Sequence, residues 1–288
     1  MKVTEPLIKI REMQLRDIEQ AMGLKNSEGW NQTEQDWEIL LRLSPKTCLV
    51  AVSDQEVIGT VTAVNYSNEL AWIGMMLVNE KYRRKGIGSL LLKDNIKRLK
   101  GCKIIKLDAT PIGRNVYIQL GFEEEYTISR MTISPLPKQP ITHSGTVTPL
   151  SLHEIQEIAD LDKEVFGADR TDLIELILET YPDKALKLKK DGRIAAYCLR
   201  RDGVKHNHLG PVIALTTEDA KTLLAAAMSR LAGQAVVLDV PQKKKKFLKW
   251  LDSLGFQEHR TLVRMYYKNN YIPKQREREY AICGPELG

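Results

Sequence analysis

The strongest constraint on this chain is that it repeats itself. Leu107-Asp108-Ala109-Thr110-Pro111 leads on to Leu120-Gly121-Phe122 and then Arg130-Met131, while Leu238-Asp239-Val240-Pro241 leads on to Leu254-Gly255-Phe256 and then Arg264-Met265. Gly121 and Arg130 are separated by the same interval as Gly255 and Arg264. Earlier, Ile73-Gly74 has its counterpart in Leu209-Gly210, each at the end of a β-rich stretch. Segments that recur in the same order, with the glycine-to-arginine interval kept, imply two copies of one fold rather than two unrelated domains. A chain of 288 residues is long enough for each copy to bury its own core.

Within the first copy, residues 7–13 alternate as a strand, and residues 15–26 carry Leu15, Ile18, Met22 and Leu24 at helical spacing. Asn31-Gln32-Thr33 offers N-caps for a second helix that runs to about Leu43 and stops before Pro45. Residues 47–52 and 57–64 form a hairpin pattern, 70–78 a further strand, 88–100 an amphipathic helix and 104–109 a strand. A short helix to Leu120 and a strand over 123–133 complete the unit. This order predicts a mixed α/β (α+β) sheet with helices on its faces. Ser134-Pro135-Leu136-Pro137-Lys138-Gln139-Pro140 disfavours helix and central strand alike. The expected division is therefore a first domain over 1–133, a linker over 134–146 and a second, similar domain over 147–288.

Composition narrows the function classes. No run of about eighteen apolar residues is present to cross a bilayer. Met1-Lys2-Val3-Thr4-Glu5-Pro6 has no apolar signal core, so the cytoplasm is the expected location. Cys48, Cys102, Cys198 and Cys283 lie far apart, a spacing that suits reduced thiols and predicts no metal. His206 and His208 read as a solvated loop. The net charge of +6 suits an anionic small molecule, and Lys243 to Lys246 read as the solvated face of a helix whose buried stripe holds Phe247, Leu248, Trp250 and Leu251. Nucleic acid is not expected as a partner, because no aromatic-rich strand motif or zinc spacing accompanies the charge.

Between the strand ending at Val78 and the helix near Gly88 lies Arg83-Arg84-Lys85-Gly86-Ile87-Gly88, followed by Ser89. A glycine turn that opens a helix can aim several backbone N–H groups at one anion, and the helix dipole adds to the attraction. Neither a dinucleotide fingerprint nor a Walker loop is present to compete for this reading. The segment resembles the [Q/R]-x-x-G-x-[G/A] loop of the GCN5-related N-acetyltransferase (GNAT) superfamily. Downstream, Tyr117-Ile118-Gln119-Leu120-Gly121-Phe122 looks like that family's Y-x-x-L-G-F segment. The resemblance covers residues 7–133 in element order.

The resemblance implies acetyl-CoA with its pyrophosphate on Arg83 to Ser89 and its pantetheine arm between the strands ending at Val78 and Ala109. An amine then attacks the thioester directly. The backbone at Met76, Leu77 and Val78 stabilises the oxyanion, and Tyr117 protonates the departing thiolate. The bland reading of Tyr117 is a helix aromatic packed beside Leu120 and Phe122. Two family features are absent: Thr110 stands where an asparagine is usual, and Trp72-Ile73-Gly74-Met75-Met76 lacks the glutamate that often serves as base. Glu28, Asp36 and Asp108 are candidate carboxylates for the acceptor, with Trp30 beside Glu28 able to hold a cationic amine. Against this, Asp36 can close a capping box with Thr33, and Trp30 can be core.

The second copy replaces the loop with Gly210-Pro211-Val212-Ile213-Ala214-Leu215-Thr216-Thr217-Glu218-Asp219-Ala220, which has no glycine pair and puts acidic residues where phosphate needs positive charge. It reads as a degenerate GNAT-like domain. The arrangement looks like tandem bacterial proteins with Phe166-Gly167-Ala168-Asp169-Arg170 and Gly284-Pro285-Glu286-Leu287-Gly288 type segments. Its roles are to wall off the acceptor site or to mediate self-association as a homodimer. Asp162, Asp169 and Arg170 read as a capped helix start with a surface ion pair, and reaching a substrate is the rival reading. The expected activity is acetylation of a primary amine on a small molecule. The alternatives are a non-catalytic acyl-CoA sensor, or modification of a protein or RNA.

Overall fold

The computed structural model describes residues 7–138 and 146–288, so Met1 to Pro6 and most of the proline-containing linker lie outside the described residues. The first half runs β1 (Lys9–Glu12), α1 (Ile18–Ser27), α2 (Glu34–Leu43), β2 (Leu49–Ser53), β3 (Glu56–Tyr66), β4 (Leu70–Val78), α3 (Ile87–Arg98), β5 (Ile104–Ala109), α4 (Pro111–Gln119) and β6 (Phe122–Ile133). The second half repeats that order element for element. It runs β7 (Val147–Pro149), α5 (Ile155–Phe166), α6 (Thr171–Thr180), β8 (Leu186–Lys190), β9 (Arg193–Arg201), β10 (Asn207–Ala214), α7 (Thr217–Ser229), β11 (Val236–Pro241), α8 (Lys245–Ser253) and β12 (Gln257–Tyr267). A short extra strand, β13 (Glu279–Ala281), follows.

All these strands join one mixed sheet in the order β1-β2-β3-β4-β5-β12-β6-β11-β10-β9-β8-β7, with β13 alongside β10. The order is the same from either end once repeat-equivalent strands are exchanged. Each half therefore surrenders its last strand to the other: β12 pairs with β5, β6 pairs with β11, and β6 and β12 pair antiparallel at the centre. Ile128 and Leu262, which the repeat makes equivalent, face each other in register at that centre and pack with Ile282.

The arginines that marked the repeat hold the exchange together. Arg130 on β6 grips Asp239 of β11 through Nε and Nη2, both at 2.7 Å. Arg264 on β12 grips Asp108 of β5 at 2.9 and 3.0 Å. Each pair is buried and joins the two halves, so the conserved spacing inside the chain encodes a reciprocal cross-link. Such a pair is costly to break, because the abandoned partner keeps its charge away from water.

Helix packing divides between the two faces. α3 covers the first half through Ile87, Leu91 and Leu92, and α7 covers the second through Ala220, Leu223 and Leu224. On the other face one continuous core includes Trp37 and Leu40 of α2, Phe166 of α5, Leu173 and Ile177 of α6, and Trp72 of β4. Asp162 and Arg170, expected on the surface, are instead a buried pair with contacts of 2.6 and 2.8 Å, while Asp169 accepts from the Thr171 N–H as a cap. His208 corrects another expectation. It lies on β10, buried, with Nε2 at 3.3 Å from Asp239, because strand pairing brings a charged partner to it from 31 residues away.

Candidate active site

β4 and β5 pair in parallel only from Leu70↔Ile104 to Ile73↔Leu107, and beyond that point they diverge. A shift of register against β3 between Thr60 and Thr62, with Met75 in the left-handed region at φ 47°, bulges β4 where the divergence begins. The Thr60 hydroxyl fixes the bulge by donating to the Met75 carbonyl at 2.7 Å. The edge of Met76, Leu77 and Val78 that faces β5 is thus free of strand pairing, and it lines a cleft of about 660 Å³.

The loop at the end of β4 adjoins this cleft through Arg83 and Gly88. Arg84 and Gly86 both have positive φ, at 62° and 79°, and Gly86 caps α3 in a conformation that a β-carbon would disfavour. None of the backbone N–H groups from Arg84 to Ser89 has an acceptor among the described residues. Leu90 is the first residue of the helix whose N–H bonds backward, to the Gly86 carbonyl at 3.0 Å. Consecutive orphan donors at a helix start make an anion cradle. Val78, Arg83 and Gly88 line the adjoining end of the cleft, so the residues present fit a phosphate-bearing cosubstrate whose arm extends between β4 and β5.

Tyr117 lies on the opposite wall with Thr110, Gly113 and Val116. Thr110 caps α4, its hydroxyl accepting from the Gly113 N–H at 3.2 Å, which orients the helix so that Tyr117 faces the cleft. The ring packs edge-on against Phe122 with centroids 5.9 Å apart, as the packing reading of Tyr117 expects, and it also lines the cleft. Among the described residues nothing hydrogen-bonds its hydroxyl. Burial pushes its pKa up to about 12, which keeps the phenol protonated.

At the other end the candidate carboxylates separate. Glu28 and Trp30 line the cleft, with Glu28 paired to Arg83 across the mouth. Asp36 does not reach it as a free acid: its carboxylate caps Thr33 at 2.7 Å and holds Arg201 of β9. Burial pushes its pKa up, against the attraction of Arg201. Asp108 is likewise engaged on both oxygens by Arg264. Asp108 nevertheless lines the cleft, whereas Asp36 does not, and each has an arginine partner from the second half.

The carboxylate that sequence reasoning missed is Glu286. After β13 the chain returns to the first half, where Trp72 donates to the Pro285 carbonyl at 3.0 Å and Tyr66 to the Leu287 carbonyl at 2.7 Å. A β-carbon on Gly74 would lie 2.6 Å from the Glu286 Cα, so glycine at that place on β4 is what admits the segment. Glu286 thereby lines the cleft beside the strand position that lacks a glutamate. Its oxygens accept from Arg201 Nη2 and Gln32 Nε2, both at 2.8 Å. Burial pushes its pKa up, but Arg201 and these hydrogen bonds outweigh it and hold the carboxylate below its usual range. No local pattern marks this residue, since its neighbours come from β4, β9 and the segment before α2.

The second half also braces the acceptor end. Asn31 donates to the His206 carbonyl at 2.9 Å and accepts from the N–H groups of Lys205 and His206, while Val204 donates to the Asn31 carbonyl. Its own counterpart of the cleft is closed. β10 and β11 pair only at Asn207↔Val236 and His208↔Val237, and β13 lies in the divergence, paired with β10 and linked to β11 by Ile282 N–H to Asp239 O at 3.0 Å.

Comparison with known proteins agrees with this architecture. A family model described as an acetyltransferase (GNAT) domain matches residues 44–124, and a second of the same description matches residues 158–281. Holothin acyltransferase from Pseudoalteromonas sp. (strain SANK 73390) is 25% identical over 266 residues, covering 91% of this chain and 88% of that protein. The crystal structure of a putative acetyltransferase from Pyrococcus horikoshii superposes with a TM-score of 0.83 at 23% identity, covering 99% of each chain. A tandem GNAT protein from the clavulanic acid biosynthesis pathway superposes with a TM-score of 0.66 at 13% identity, covering 92% of this chain and all of that one (100%). With two matched domains on one continuous sheet, this chain belongs to the GNAT family of N-acyltransferases and carries two GNAT domains in tandem.

Proposed function

We propose that the first half transfers an acetyl group from acetyl-CoA to a primary amine on a small molecule, with Tyr117 as general acid. The observation that carries this reading is the run of unanswered N–H groups from Arg84 to Ser89 in a loop whose Arg83 and Gly88 line the same cleft as Tyr117. In this scheme the loop binds the pyrophosphate, and Met76 to Val78 offer backbone to the developing oxyanion. A neutral amine attacks the thioester carbonyl, the carbon–sulfur bond breaks, Tyr117 passes its proton to the sulfur, and the proton lost by the new amide nitrogen goes to solvent, from which Tyr117 is reprotonated. Glu286, held as an anion by Arg201, accepts a hydrogen bond from the amine and orients it. The small-molecule acceptor is supported by the likeness to holothin acyltransferase.

The second half, in this reading, binds no acyl-CoA and serves as scaffold. β13 lies in its strand divergence, and its helix start is capped by Thr216, whose hydroxyl accepts from the Asp219 N–H at 3.1 Å. A thiol-release assay with acetyl-CoA against amines, polyamines, amino acids and aminoglycosides tests the proposal. Tyr117→Phe is expected to lower kcat about a hundredfold with little change in acetyl-CoA affinity. An unchanged kcat at saturating substrate removes Tyr117 from the chemistry. Tight acetyl-CoA binding without turnover on any amine favours a sensor instead.

A further inference from the structure

One cation in the cleft is used neither by the fold nor by the acyl chemistry. Arg130, Arg170, Arg201 and Arg264 have almost no exposure, and each holds an aspartate or glutamate. Arg260 breaks that pattern. It lines the cleft partly buried, no carboxylate lies within ion-pair distance of it among the described residues, and its Nε–H is buried without an acceptor. Its register partner on β6 is Arg130, whose guanidinium already belongs to Asp239. Burial and then Arg130 push the Arg260 pKa down to about 10, as for a cation short of a counter-ion.

Position separates this cation from the phosphate cradle. β12 pairs with β5 as far as Val263↔Ala109, so Arg260 lies beyond the end of β5, and β5 stands between it and the strand that carries the loop. Two residues on, Leu262 lines the same cleft and packs with Ile128 and Ile282. Pro285 and Glu286 line that cleft as well.

We infer that Arg260, supplied by the second half, binds an anionic group of the acceptor, so that the substrate is an amine that also carries a carboxylate or a phosphate. The inference rests on the proposed reading of the cleft as the acyl-transfer site. A guanidinium presents a planar fork that matches either oxyanion. Glu286, of opposite charge on the same cleft, orients such a molecule: its amine is drawn to the carboxylate and its anion to the guanidinium.

The test uses matched amines with the full-length protein and with Arg260→Ala and Arg260→Lys. Lysine is compared with lysinamide, glycine with glycinamide, and 2-aminoethyl phosphate with ethanolamine. Initial rates with acetyl-CoA are accompanied by binding titrations that follow tryptophan fluorescence, Trp30 being at the cleft. The anionic member of the preferred pair is expected to have a kcat/KM about ten- to a hundredfold higher, the range for a charge-assisted hydrogen bond. Arg260→Ala is expected to abolish that ratio through KM, with rates on the neutral amine and the KM for acetyl-CoA unchanged, and Arg260→Lys to restore part of it. The preferred pair tells carboxylate from phosphate. A ratio that survives Arg260→Ala, or a change confined to the acetyl-CoA KM, overturns the inference. If no amine turns over, the proposed function fails. Arg260-dependent binding of an anionic amine in the titrations would then still support the anion site, and its absence for all three anionic amines would overturn that too.

Discussion

The two halves build the same corner with opposite outcomes. In the first, β4 and β5 part after Ile73 and Leu107 and leave a cleft; in the second, β10 and β11 part after His208 and Val237, and β13 lies between them. The first connects its strand to its helix by a loop rich in arginine and glycine, whereas the second does so through Leu215 and Thr216 alone. Where the first has Tyr117, four residues before Gly121, the second has Leu251, four before Gly255, and Leu251 has no exposed surface. One fold, repeated, thus has an open divergence lined by a tyrosine in one copy, and in the other a divergence occupied by β13 beside a buried leucine. The comparison teaches that a GNAT sheet by itself specifies no site; the divergence must also be kept open.

The largest expected effects come from what the halves share. Arg130→Met and Arg264→Met should each lower unfolding free energy by about 3–5 kcal/mol, since each strands a buried aspartate. Denaturant titration checks this, and a cost below about 1 kcal/mol for either would show that the reciprocal cross-link is not what joins the halves. Acid should sharpen the result. Burial pushes the Asp239 carboxyl up, but Arg130 and His208 outweigh it and hold it below the usual range. Its contribution is therefore complete above the unfolded carboxyl value of about 4 and is lost as pH falls through and below it. The stability gap between the parent protein and Arg130→Met should narrow below about pH 4.

Smaller but more discriminating effects are expected at the glycines. A β-carbon on Gly74 would lie 2.6 Å from the Glu286 Cα, and one on Gly210 would lie 2.1 Å from the Ile282 carbonyl oxygen. Both alanine variants should lose about 1–3 kcal/mol of stability, the usual cost of overpacking. Only Gly74→Ala should also raise the KM for the amine, because only there does the displaced segment line the cleft. Equal effects on KM would mean that the two halves are not functionally divided. A calorimetric stoichiometry of two acetyl-CoA per chain, in place of the expected one, would mean the same.

Sequence reasoning reached what is local. Gly86 and the basic residues around it identify the loop because a phosphate cradle is made of consecutive backbone groups, and Thr33 with Asp36 spells out a capping box. The interval from Gly121 to Arg130 and from Gly255 to Arg264 revealed the repeat, yet not that each arginine crosses to the other half. Strand exchange is invisible to periodicity, since a strand carries the same alternation whichever neighbour it pairs with. Glu286 and Arg260 were missed for that reason. Both enter the cleft from distant parts of the chain, and although Glu286 stands in the Gly284-Pro285-Glu286-Leu287-Gly288 segment, nothing in that segment says which strand it lies against. Asp108 and Asp36 looked available for the same reason in reverse, because their arginine partners lie 156 and 165 residues away.

The smallest expected effect is a flat line. A general acid works only while it holds its proton, so a phenol at the ordinary tyrosine value of about 10 would begin to lose activity near pH 9. Burial pushes Tyr117 up to about 12, and the donor should stay protonated to about pH 11. As pH rises, kcat/KM for an amine without an anionic group, which does not call on Arg260, should climb while the acceptor loses its ammonium proton and then remain level through pH 10. A fall with an apparent pKa below 10 that disappears in Tyr117→Phe would place the hydroxyl in a wetter setting than the packing of Phe122 and Gly113 around it implies. A fall that persists in Tyr117→Phe would assign the alkaline limb to another group. The level profile, together with a hundredfold lower kcat in Tyr117→Phe, is the combination expected of a half-buried phenol that donates its proton.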